Sequence, residues 1–184
     1  TAPENPSREG YTFKSWDKIY TNITSDLTVT ATYTINQYTI TFDTNGGTEV
    51  ESITQDYGTT VTVPAEPTRT GYTFAGWTPA VPATIPTDDM TLTAQWSIKQ
   101  YTITFDSNGG STVANITQDY GTTVTAPADP TKTGYTFKGW SPAVPVIMPA
   151  DNITLTAQWN INQYTISFDS AGGKRQHFSL GGYR

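Results

Sequence analysis

YTITFDSNGG, residues 101–110, recurs along this chain: YTITFDTNGG starts at Tyr38 and YTISFDSAGG at Tyr164, a period of 63 residues. Each copy alternates strictly. Tyr101, Ile103 and Phe105 point one way, and Thr102, Thr104 and Asp106 the other. Such alternation is a half-buried strand, and the Asn-Gly after it predicts a tight hairpin. A 63-residue beat in a 184-residue chain means several small modules rather than one large core.

Working outward, residues 38–100 and 101–163 are two full copies, identical at 45 of 63 positions, so one design serves both. Residues 1–37 read as the back half of a copy: APENPSREGYTFKSW parallels VPAEPTRTGYTFAGW (63–77), and LTVTATYTINQ (27–37) parallels MTLTAQWSIKQ (90–100). A fourth copy opens at 164–173, and the tail 174–184, KRQHFSLGGYR, matches nothing upstream. A start in mid-repeat is expected of a fragment, from which targeting cannot be read.

Within a copy, the hairpin leads to a second strand around Val113–Tyr120, and the proline after GTTVTAP allows at most one helical turn, around Thr122–Ala126. PADPTKTG is a turn region. YTFKGW (135–140) is a third strand, in which a bulge at Gly139 is expected to swing Trp140 onto the face of Tyr135 and Phe137. SPAVPVIMPADN (141–152) has too many prolines for helix or central strand. It is expected to arch over the sheet, with Val144, Ile147 and Met148 tucked beneath. ITLTAQW (153–159) turns Ile153, Leu155, Ala157 and Trp159 to the core. Only Ser97–Gln100 separate one copy's last strand from the next copy's first, with no glycine-serine linker. Modules of about 60 residues are marginal alone, so neighbours should stack. The expectation is a semi-rigid string of units, each ~25–30 Å across.

Composition narrows the function. Hydrophobic residues make up 35% and aromatic residues 12%, so rings must supply much of the buried area. Threonine, the commonest residue, suits solvent-facing strand positions. Cysteine is absent, which excludes disulfides, thiolate metal sites and cysteine nucleophiles. A net charge of −6 argues against nucleic acid and anionic membrane as partners. No apolar run approaches the roughly 18 residues that span a bilayer.

YTITFDSNGGSTV, the ITQDYG turn, PADPTKTGYTFKGW and ITLTAQW, in that order and spacing, resemble the Listeria–Bacteroides repeat, the family that includes the B-repeat of internalins. The resemblance covers 38–163 twice over and the partial copies beside it. It implies a β-grasp, ubiquitin-like module in large bacterial surface or secreted proteins, acting as spacer or adhesive stalk, with no catalytic residues to carry over. Two departures stand out: the residues show mostly β structure with little or no helix where a β-grasp lays one across its sheet, and the proline-rich arch replaces a charged, glycine-bearing loop.

Candidate chemistry is thin. His177, the only histidine, lies in the tail and would have to anchor any histidine-dependent triad; an exposed tail residue is the plainer reading. Asp43, Asp56, Asp106 and Asp119 could pair as glycosidase carboxylates, but Asp106 beside a turn more often accepts backbone hydrogen bonds. DSNGG lacks the later acidic ligands of a calcium loop. No cofactor is expected. Trp77, Trp96, Trp140 and Trp159 are either the core or part of a sugar-stacking surface, for which Trp77, Trp140, Tyr72 and Tyr135 are the candidates. The Thr-x-Thr pairs, such as Thr102/Thr104, form hydroxyl rows explained by cross-strand pairing, with an ice-binding array as the alternative. Lys99 becomes Asn162 one period on, so no recurring isopeptide partner is expected.

The leading expectation is a non-enzymatic spacer of an extracellular bacterial protein, monomeric, whose partners are its own neighbouring repeats. The alternative is an adhesive module contacting glycan or host protein. Strand exchange between molecules at the two partial copies is a further possibility.

Overall fold

A computed structural model describes residues 3–168 and 171, and the backbone of 176–180. The chain folds as two compact units that divide after Ser97. In the first, β1 (Tyr11–Trp16) and β2 (Ala31–Ile35) form a two-stranded antiparallel sheet. Next, β3 (Gln37–Asp43), β4 (Ile53–Asp56), β5 (Tyr72–Thr78) and β6 (Met90–Ile98) form a four-stranded sheet in the order β4-β3-β6-β5. In the second unit β7 (Gln100–Asp106), β8 (Ile116–Asp119), β9 (Tyr135–Ser141) and β10 (Ile153–Ile161) repeat that sheet as β8-β7-β10-β9. There β11 (Tyr164–Phe168) also pairs with β12 (Gln176–Leu180). No helix occurs among the described residues.

The two central strands are parallel, with Ile40 opposite Met90 and Ile103 opposite Ile153, and antiparallel neighbours flank them. A parallel pair at the centre is the sheet of a β-grasp. The alternating residues explain its position, because Ile103, Phe105 and Leu155 are buried on one face while Thr102 and Thr154 line the other. Parallel strands need a long crossover. Here it carries the outer two strands and the cover of the core.

That cover takes the place of a helix, since the single turn allowed around Thr122–Ala126 does not form. Instead 121–124 runs extended against the proline arch: Val124 N donates to Val146 O (2.9 Å), Met148 N to Thr122 O (2.8 Å) and Gly121 N to Met148 O (3.0 Å). Val124 and Met148 thus face the sheet and close one cluster with Ile103, Phe105 and Leu155. In the preceding copy Val61 and Ile85 do the same with Ile40, Phe42 and Leu92. Ile147, expected beneath the arch, is 56% exposed. Its place opposite Thr123 in the bridge turns its side chain away from that of Met148.

Asn-Gly does not close a two-residue hairpin. Asn45 and Gly46 both take positive φ, and Gly47 N bonds Thr44 O (3.0 Å), so a primed turn forms. Past it, Thr48 N donates to Thr68 O (2.9 Å) rather than back to β3. The second strand is accordingly shorter than Val113–Tyr120, at Ile116–Asp119.

The bulge is where the residues placed it. On β9, Gly139 opposes Gln158 and Phe137 opposes Trp159, leaving Lys138 extra, and Gly139 has φ 136°. In β1, with Ser15 in place of glycine, the shift falls between Phe13 and Ser15.

A single residue, Asn36, separates β2 from β3, and there the partial copy packs on its neighbour. Asn36 N donates to Gly10 O (3.0 Å) and Tyr57 N to Asn36 O (2.8 Å), while the Tyr11 and Tyr57 rings meet edge to face at 6.3 Å. Asn36 Oδ1 accepts from Thr12 Oγ1 (2.6 Å), and its Nδ2 donates to the Tyr38 hydroxyl (3.2 Å). Asn162 repeats both side-chain bonds with Thr136 and Tyr164.

Candidate functional site

Four rings cross one face of each complete sheet. In 101–163 they are Phe105, Trp140, Phe137 and Trp159, with successive centroids 4.9, 5.4 and 5.5 Å apart, all edge to face. Phe42, Trp77, Phe74 and Trp96 reproduce the row at 5.0, 5.3 and 5.5 Å. This is the geometry that ring quadrupoles favour. The bulge makes it possible, by bringing Trp140 to the side of Phe137.

The far end of the row is pinned. Trp159 Nε1 donates to Ser107 O (3.0 Å), and a Cβ on Gly110 would stand 2.5 Å from Trp159 Cζ2. Lys132 Nζ sits 4.6 Å from the Tyr135 ring centroid and 5.7 Å from that of Trp159, and donates to Asn108 O (2.9 Å). Arg69 holds the same position, 4.0 Å from Tyr72 and 6.0 Å from Trp96, with Nη1 donating to Asn45 O (3.0 Å). Each cation–ring contact contributes about 0.5–1 kcal/mol at an exposed site.

Trp77 and Trp140 are therefore half-buried and packed on the core clusters. Tyr72 and Tyr135 are half-buried as well, each with one ring face under a cation. Trp140 and Tyr135 are linked through Phe137, Trp159 and Lys132. The basic residues escaped sequence reading. Their signal was the cation three residues before each Gly-Tyr tyrosine, at Arg8, Arg69 and Lys132.

The carboxylates hold turns and strand edges. Asp43 and Asp106 accept from the backbone of Asn45 (3.0 Å) and Asn108 (2.9 Å); Asp56 and Asp119 accept from Gln37 (2.9 Å) and Gln100 (3.0 Å) side chains. The threonine rows bond across strands, Thr39 to Thr54 (2.9 Å) and Thr102 to Thr117 (2.8 Å). The side chain of His177 lies outside the described residues. Among the described residues no three histidine, aspartate or glutamate side chains gather as a metal site, and no helix is long and apolar enough to cross a membrane.

Beyond this geometry, the sequence model of the Listeria-Bacteroides repeat domain matches residues 1–37, 38–95 and 101–158. The chain belongs to this family. Internalin H of Listeria monocytogenes is 36% identical over 171 residues, 83% of this chain and 30% of that protein. A protein of Evansella cellulosilytica named "Putative membrane protein" is 36% identical over 195 residues, 91% of this chain and 29% of its own length. The chain spans less than a third of these relatives.

Proposed function

We propose that this Listeria-Bacteroides repeat chain is a non-enzymatic spacer in a bacterial cell-surface or secreted protein, holding a functional domain away from the envelope. Residues 38–100 and 101–163 are one module each in this reading, with 1–37 and 164–173 as parts of further modules and 174–184 as a tail. The observation that carries it is the Asn36 junction, where one residue joins two sheets and the backbone of Gly10, Asn36 and Tyr57 is hydrogen-bonded across the joint. A joint of that kind resists bending, which a spacer needs and a flexible tether lacks. The names of the relatives, an internalin and a membrane protein, agree with a surface setting.

Inserting one more 63-residue copy and recording small-angle scattering tests the reading. The longest dimension of the particle should grow by about 25–30 Å, one compact module. A particle that thickens without lengthening would rule the spacer out.

The adhesive alternative rests on the half-exposed rings of Trp77, Trp140, Tyr72 and Tyr135 and on the outer threonine rows. Titrating the chain with a glycan panel while following tryptophan fluorescence decides it: a saturable shift abolished by Trp140→Ala favours adhesion, and unchanged spectra favour the spacer.

A further inference from the structure

Each complete copy is entered and left on the two central strands of its own sheet. In 101–163 the chain enters on β7, after the single residue Lys99, and leaves on β10, two residues before β11. The edge strands β8 and β9 and the cover of the core all lie between. β7 and β10 are parallel neighbours, paired from Ile103 opposite Ile153 to Asp106 opposite Thr156. β3 and β6 repeat this from Ile40 opposite Met90 to Asp43 opposite Thr93.

Direction decides how such a pair meets tension. A pull along the chain draws β7 out by its foot, at Gln100, and β10 out by its head, at Ile161. The two strands are then dragged past each other along their length. Bonds of a parallel ladder are evenly spaced along the pair, so they are strained together rather than one after another. The edge strands, connected between the far ends of the pair, take up no tension until it slides.

Side chains prolong the ladder at both ends. At its foot Asn152 Oδ1 accepts from Thr102 N (2.8 Å), and Asp89 Oδ1 accepts from Thr39 N (2.7 Å). At its head Trp159 Nε1 donates to Ser107 O (3.0 Å), and Trp96 Nε1 to Thr44 O (3.0 Å). Asn108 Nδ2 adds a bond to Ala157 O (3.3 Å). The buried face resists as well. Ile103 and Phe105 on one strand and Leu155 on the other share a core with Val124 and Met148, so sliding must tear a close-packed cluster.

We propose that each complete copy is a tension-bearing clamp, in which the β3–β6 or β7–β10 ladder carries a pull along the chain in shear. This rests on the spacer reading and deepens it: a spacer fixed at one end and gripped at the other is stretched. A module that opened under that pull would give up the spacing it sets. The resistance is directional, a high barrier to opening from the ends rather than a large equilibrium stability.

Single-molecule force spectroscopy on the full 184-residue chain tests it. Cysteine is absent, so paired substitutions give unique attachment points, and Lys99, Asp151 and Gln163 are all exposed. Lys99→Cys with Gln163→Cys pulls the pair in shear. Lys99→Cys with Asp151→Cys pulls both strands apart from the same end, so the ladder opens bond by bond. At one pulling speed the first pair should need at least about twice the force of the second, because forced unfolding is set by the barrier along the pull. Its unfolding step should lengthen the tether by about 200 Å, the extended length of the copy less its folded width. A smaller force ratio overturns the proposal, as does lengthening of the first pair without a distinct step. The spacer reading is decided separately, by scattering from a chain with an added copy, and survives a clamp that fails.

Discussion

At the scale of single residues, the two glycines Gly110 and Gly121 separate close approach from conformational need. Gly110 carries the Trp159 ring directly on its Cα, and an added methyl would also come 3.1 Å from Thr131 O. Gly121 has open space around it but a φ of +74°. Gly110→Ala must push a pinned ring off its seat, which costs about 1–3 kcal/mol as overpacking. Gly121→Ala meets only left-handed strain, about 1 kcal/mol. Urea denaturation of the two variants should show the larger loss at Gly110, with a changed tryptophan signal for that variant alone. Equal losses would mean that Trp159 is not held as the geometry indicates. The cation above Tyr135 is a smaller matter: Lys132→Ala should lower stability by about 0.5–1 kcal/mol, through the ring contacts rather than through charge pairing.

At the scale of elements, the segment that stands where a helix would lie depends on one side chain. Met148 is 0% exposed and its neighbour Ile147 is 56% exposed, although both are apolar and adjacent. Met148→Ala should therefore cost about 2–5 kcal/mol, while Ile147→Ser should stay within about 0.5 kcal/mol, both read from thermal unfolding. Sequence alone carried the strands well, because a period of two fixes which residues face inward: Ile103, Phe105, Leu155 and Ala157 are all buried. It carried the bulge too, since Gly139 before Trp140 had a geometric reason to be there. The cover was harder to read. Prolines 142, 145 and 149 rule out a helix but do not say that 121–124 is the partner, a pairing across more than twenty residues. The Asn-Gly misled for a related reason: the turn chemistry was right, but Thr48 found Thr68, far along the chain. Of the site, the rings were legible as a set and the cations over them were not, because a cation–ring contact leaves no periodic trace.

At the scale of the whole chain, the question is what keeps residues 3–35 ordered at all. An isolated two-stranded sheet is marginally stable in water at best. Among the described residues the β1–β2 pair has no strand on the far side of Leu27–Thr30, so within them its order is drawn from the next module. Tyr57 is the contact that supplies it, since its ring lies against Gly10 so closely that no Cβ fits there, and it meets Tyr11 edge to face. Tyr57→Ala keeps the backbone bond to Asn36 but removes that ring. Hydrogen exchange should then show the amides of β1 and β2 losing most of their protection, while β7–β10 exchange as before. Were β1 and β2 to stay protected, the half-module would have another source of order, and the stiffness argued for the joint would no longer follow from Tyr57. A loss confined to β1 and β2 would instead show that each joint stabilises the module on one side of it, so that stability and stiffness in a chain of such repeats have a common origin.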